Sequence, residues 1–213
     1  THLSGRVQAL LADRAGWARF PDDVREWLEV QDWRSELPEA VEQQLRLVEK
    51  SLPSPGLLSY IGQRAGTQKL MSFHQPFLNH DAQVFPLSDI LLGKPLPVRS
   101  AELFYQTHKG SFDPAKQLQW LLDGPARLQQ YLALAQGLGT RLRINIELDV
   151  GLHRGGVSDE NVLGQMLTLI SANPQHLAFA GFMGYDPFVG MGVPGILGSP
   201  EELFAKVMLI YQR

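Results

Sequence analysis

Two cations stand out by position. Lys50 closes the apolar run LRLVEK, and Arg154 follows a glycine turn in INIELDVGLHRGGV, residues 144–157. A lysine bordered by Leu45, Leu47 and Val48 can be partly desolvated, and desolvation favours the neutral amine. That amine is the nucleophile that Schiff-base chemistry with an aldehyde requires. The plain alternative, and the usual fate of a lysine, is a rim position with its ammonium in water. Arg154 offers the complementary property. Its guanidinium stays charged and planar, so it can hold a phenolate or carboxylate without losing a proton. Glu147 and Asp149 share one face of an alternating strand, so one of them can brace that guanidinium across the turn. A solvated ion pair at a strand end, worth little, is the plain alternative.

Weaker candidates lie at other strand ends. His74 follows an apolar run in SFHQP, and Gly93-Lys94 follows DILL. Lys109 in QTHKGSF is a second amine, behind a more polar run, and ranks below Lys50. Tyr185 in GFMGYDPF can lie against a flat ring or cap the core with its hydroxyl outward. His74, His80 and Asp81 have no recognised metal-ligand spacing and read as polar loop contacts. The glycines of GMGVPGILG, residues 190–198, do not form the spaced fingerprint of a dinucleotide site.

Elements must place these groups. Strands are expected at 45–49, 69–73, 89–92, 102–106, 142–150 and 177–183, and helices at 57–65, 114–122, 125–136, 159–172 and 200–212. Short strands alternating with helices imply βα units and a parallel sheet, in which functional groups gather at the carboxyl ends of the strands. Residues 1–44 read as a helical N-terminal extension, and 45–213 as the α/β domain. Six strand candidates are two short of a closed (β/α)8 barrel of the TIM type. The segment EAVEQQLRLVEKS passes from helical to strand pattern with no turn residue, and YQR follows a helix directly. A barrel incomplete in this chain, with residues missing near 44–45 and after 213, is therefore expected; an open α/β sheet is the alternative.

Bulk properties remove several classes of function. The 213 residues are 44% hydrophobic, enough for a real core. A net charge of −3 and a pI near 6.0 leave no electrostatic footprint for nucleic acid or an anionic membrane. Without cysteine, thiolate catalysis and cysteine-ligated zinc are excluded. No apolar run approaches a membrane span, and the amphipathic, charged start does not read as a signal peptide. A cytoplasmic protein is expected.

Taken together, these stretches resemble one family. IELDVGLHRGGV is similar to the strand and turn of the fold-type III pyridoxal phosphate enzymes: D-threonine aldolase, D-serine dehydratase and alanine racemase. Asp149, Gly151, Arg154 and Gly155 match the family pattern. DILLGKPL resembles a strand of the aldolase and dehydratase branch, and FAGFMGYD the strand whose tyrosine or histidine flanks the cofactor ring. LRLVEKSLPS occupies the place of the early strand that bears the cofactor lysine. The resemblance covers residues 45–210 and implies a barrel of the alanine racemase N-terminal type. It also implies that Lys50 holds pyridoxal 5'-phosphate and shuttles the proton at the substrate's α-carbon. Arg154 would contact the phenolic oxygen and Tyr185 would flank the ring, with His74 near the cofactor. In racemases of this fold a carbamylated lysine stands where this chain has Glu147, so Glu147 is expected to orient Arg154 directly. The implied substrate is a small amino acid of D or β-hydroxy type, acted on by a lyase or racemase, in a protein expected to be a homodimer.

Some departures are plain. SLPSPG after Lys50 matches neither the aldolase nor the racemase run. The family's glycine- and serine-rich phosphate loops have no counterpart before residue 213, and neither does the C-terminal domain that carries a divalent metal in the aldolase and dehydratase branch. Two other readings remain: a non-catalytic pyridoxal phosphate-binding barrel protein, and a cofactor-free Schiff-base aldolase.

Overall fold

The computed structural model describes residues 47–48, 54–186 and 200–211. Lys50 and the extension over 1–44, with its boundary at 45, lie outside the described residues, as does the glycine-rich stretch 190–198. The chain divides into two units, and the helix α1 (Pro55–Ala65) belongs to the first. It starts where the Ser54 side chain accepts a hydrogen bond from Leu57 N–H, and Gly66, at φ 59°, ends it in the left-handed region.

The sheet belongs to the second unit from Val48 onward. Its strands are β1 (Leu47–Val48), β2 (Lys69–Ser72), β3 (Asp89–Leu92), β4 (Leu118–Leu122), β5 (Leu142–Leu148) and β6 (Leu177–Gly184). They stand in sequence order, and the pairs from β2 to β6 are all parallel. An order that never reverses has no switch point, so each crossover steps to the next position, as in a barrel rather than a doubly wound open sheet. The crossovers carry α2 (Gln75–Val84), α3 (Val98–Thr107), the single turn α4 (Pro114–Gln117), α5 (Pro125–Leu138) and α6 (Glu160–Ala172); α7 (Pro200–Tyr211) follows β6.

The two faces of the sheet differ in chemistry. On the helix side, Trp120 of β4 packs against Phe104 of α3 and Tyr131 of α5, with ring centroids 6.1 and 5.5 Å away. The Trp120 indole N–H donates to the Tyr105 hydroxyl at 3.2 Å, so the buried indole is paired within this apolar layer. The opposite face is polar. Gln119 donates to both carboxylate oxygens of Asp89 at 2.8 Å and accepts from Asn145 at 2.7 Å. Arg143 donates to Asp89 at 3.0 Å. Alternation along β5 sends Arg143, Asn145 and Glu147 to this inner face and Ile144, Ile146 and Leu148 to the helices.

Two expectations need correction. Residues 102–106 are not a strand but the middle of α3, where Ala101 and Phe104 bury one helical face. Residues 114–122 are not one helix: the Pro114 turn ends at Gln117, and LQWLL is strand β4, buried at all five positions. A strand covered on both sides has no alternation to display. The helix α2 was not expected at all. No described helix is long and apolar enough to cross a membrane.

Candidate functional site

The carboxyl end of β5 carries the most organised group of side chains. Glu147 is buried on the inner face, 3% exposed, and its Oε1 accepts from Arg154 Nη2 at 3.2 Å. The other side of the guanidinium lies over the Tyr185 ring, 4.0 Å from its centroid. Tyr185 comes from the end of β6, whose Met183 is the register partner of Glu147. Arg154 is thus held between a carboxylate and an aromatic face, both set by neighbouring strands. Its hydrogen bond to Glu147 is the one it makes among the described residues, so most of its five N–H donors are free for a ligand.

Backbone constraints place the arginine. Val157 N–H donates to the Glu147 carbonyl at 2.8 Å, and Asp149 N–H donates to the Val157 carbonyl at 3.1 Å, folding the turn back on the strand. Gly156 has φ +95°, and a Cβ there would stand 2.6 Å from Asp149 N and from the Leu148 carbonyl carbon. A side chain does not fit. Asp149 does not brace Arg154; its Oδ1 accepts from Gly151 N–H at 3.1 Å and His153 N–H at 3.0 Å, and its Oδ2 pairs with His153 Nδ1 at 2.8 Å.

The electrostatics follow from this placement. Burial pushes the Glu147 carboxyl above the usual range; Arg154 pulls it back by hydrogen bond and charge, and the Asp123 and Asp149 charges add to the rise. Burial also acts to raise Asp149, but hydrogen bonds from the His153 ring and from the Gly151 and His153 amides outweigh it. Its carboxyl is held below the ordinary value.

Not every residue expected at the rim is there with Arg154. His74 follows β2, three strands from β5, where it occupies the N-cap position of α2 without a side-chain capping bond and meets Phe77 edge-on at 5.7 Å. Lys109 is displaced altogether. It follows α3, in the connection to the amino end of β4, so it lies at the opposite end of the sheet from Arg154. His80 is half-exposed, 4.0 Å from the buried Asp81, and among the described residues no group of three potential ligands could hold a metal ion.

One rim acid escaped the sequence reading. Asp123 ends β4, and because Leu122 pairs with Ile146, it continues the register toward Glu147. Its Oδ1 receives Arg127 Nε at 3.1 Å. The signal was available: an apolar run ending in Asp-Gly before a Pro-led helix is how a strand reaches a rim.

Residues 96–193 match the family model of the alanine racemase N-terminal domain. Among solved structures, the chain is similar to alanine racemase from Oenococcus oeni, with a TM-score of 0.60 and 15% identity over 78% of this chain and 44% of that one. It is similar to histidine racemase from Leuconostoc mesenteroides subsp. sake, with a TM-score of 0.57 and 16% identity over 79% of this chain and 41% of that one. A third is alanine racemase from Bacillus anthracis with bound L-Ala-P, with a TM-score of 0.60 and 15% identity over 78% of this chain and 39% of that one. The chain spans less than half the length of these proteins. No curated protein sequence matches it. Residues 96–193 thus match the alanine racemase N-terminal domain, and the described chain has the fold, partial here, of the alanine racemase barrel.

Proposed function

We propose that this chain belongs to a pyridoxal phosphate-dependent enzyme acting at the α-carbon of a small amino acid, with racemisation as the reaction. The observation that supports this most is the Arg154 guanidinium, fixed between Glu147 at 3.2 Å and the Tyr185 ring at 4.0 Å at the strand ends of a racemase-type barrel. The residues present fit the cofactor. A permanent cation with free N–H donors, beside an aromatic face, suits an anionic oxygen on a flat ring.

The bound cofactor would supply the electron sink for a carbanion at the α-carbon. The protein's own residues do the rest. Arg154 holds the phenolic oxygen in one orientation, and Tyr185 flanks the ring. Glu147 balances Arg154 from the buried side and fixes its direction, the part a modified lysine plays in racemases of this fold. Lys50 is the proposed cofactor amine and moves the proton at the α-carbon. His74 is proposed only as a rim residue. A cytoplasmic homodimer with a small amino-acid substrate completes the reading.

A specific observation favours a second reaction, cleavage or dehydration of a β-hydroxy amino acid. Glu147 engages Arg154 as a plain carboxylate, a departure from the racemase pattern, and DILLGKPL resembles the aldolase and dehydratase branch. Among the described residues no group of three potential ligands could hold a divalent metal used in that chemistry.

The test is a visible spectrum of the chain with pyridoxal phosphate, before and after borohydride, followed by peptide mapping. Cofactor absorbance that borohydride abolishes, with the pyridoxyl group on Lys50, is expected. A label on Lys109 would move the site to the other end of the sheet, and no retained cofactor would overturn the class. Incubation with alanine, serine and threonine enantiomers then separates racemisation from release of aldehyde or keto acid.

A further inference from the structure

We infer that Asp149 and His153 form a clasp that sets how firmly Arg154 is presented to the cofactor, making both of them positioning residues of the proposed site. The inference rests on the reading of Arg154 as a cofactor ligand.

Four observations carry it. First, the Asp149 carboxylate accepts three hydrogen bonds from within the turn, two of them from His153, at 3.0 Å from its amide and 2.8 Å from its ring. Second, His153 has φ 53°, and among the described residues it is the one non-glycine residue with positive φ. The left-handed region crowds a Cβ against the following carbonyl, so something must hold it there. Third, His153 is 81% exposed, and among the described residues its ring bonds to Asp149 alone. Packing therefore does not hold it; the carboxylate does. Fourth, Arg154 lies between this clasp and the Gly156 anchor, where no side chain fits. The chain is pinned on both sides of the residue whose guanidinium must be aimed.

The Asp149 carboxylate is the charged partner, and a hydrogen bond to an ionised acceptor is about twice as strong as one between neutral groups. Among the described residues the other ionisable groups facing the clasp are Glu147, on the same face of β5, and Arg154, already engaged by Glu147.

The experiment is pyridoxal phosphate binding by the full chain, followed by absorbance, for wild type, H153N, D149N and the double variant. Asparagine tolerates the left-handed region, and D149N keeps an oxygen for the two amides, so both single variants retain the turn. Wild type is expected to bind about fivefold more tightly than H153N, as for the loss of one hydrogen bond to a carboxylate. D149N should lose the same factor, and the double variant should bind no more weakly than either single one. Equal binding by wild type and H153N, or losses that add in the double variant, overturns the clasp. Absence of cofactor binding by wild type instead overturns the cofactor reading and the clasp's role with it.

Discussion

At the scale of single residues, Glu147 poses a conflict between stability and use. A carboxylate that is 3% exposed loses its hydration, and one partly exposed arginine returns only part of that loss. Because burial raises its carboxyl in the folded protein, the folded state holds a proton there more readily than the unfolded chain does. The stabilising share from Glu147 is thus complete below the ordinary glutamate value of about 4.3 and is lost as pH rises through the raised one. Replacing it with glutamine removes that slope. E147Q is expected to be as stable as wild type at pH 7, or up to about 1 kcal/mol more stable, while wild type gains on it as pH falls toward 4. Urea unfolding at pH 4, 5, 6 and 7 measures this, and a gap that does not change with pH would show that the folded-state carboxyl is not raised. Arg154, 39% exposed at its side chain, can be hydrated when its partner loses charge, so the loss should fall on cofactor affinity instead. A tenfold weaker binding, about 1.4 kcal/mol, is the size expected for one charged hydrogen bond.

At the scale of elements, the site is β5 and the turn that folds back onto it. Gly156 is the point of closest approach, and G156A meets two obstacles together: a φ of +95° and backbone atoms at 2.6 Å. A loss of about 2–4 kcal/mol in urea unfolding is expected, since neither obstacle yields by a side-chain rotation. A loss below about 1 kcal/mol would mean that the turn relaxes easily and does not aim Arg154 rigidly. The sequence displayed this element because β5 alternates: Asn145 and Glu147 face one way, Ile144 and Ile146 the other. Its neighbour was opaque for the opposite reason. All five residues of β4 are buried, so LQWLL carries no period and merges with the Pro114 turn before it. The aromatic-rich ELFYQ read as a strand by composition, yet tertiary packing of Phe104 and Ala101 makes it helix. That pair of misreadings moved one rim position. It put Lys109 among the functional groups and left out Asp123, the acid beside Glu147. The Asp89–Gln119–Asn145 chain on the inner face was equally invisible, because each member comes from a different strand.

At the scale of the whole molecule, the question is whether a stretch spanning 44% of a similar racemase's length can hold the cofactor by itself. The described sheet supplies the cation, its counter-charge and one aromatic face, all borne on β5, β6 and the turn after β5. A ligand that binds only the folded form stabilises the whole cooperative unit by RT ln(1 + [L]/Kd), about 2.7 kcal/mol at a hundredfold excess over Kd. For a chain of this size each kcal/mol moves the unfolding midpoint by about 2–4 °C, so a rise of about 5–10 °C with pyridoxal phosphate is expected. The rise must depend on the right arginine. R154A should abolish most of it, whereas R99A, which breaks only an exposed pair with Glu102 at 2.8 Å, should leave it intact. Removing either arginine changes the net charge equally, so a difference between the two variants isolates position from charge. An equal rise in wild type, R154A and R99A would mean that the aldehyde reacts with surface lysines or binds elsewhere, and the rim of β5 would lose its place as the site. A rise confined to proteins that keep Arg154 would show that this part of the barrel suffices to bind the ring.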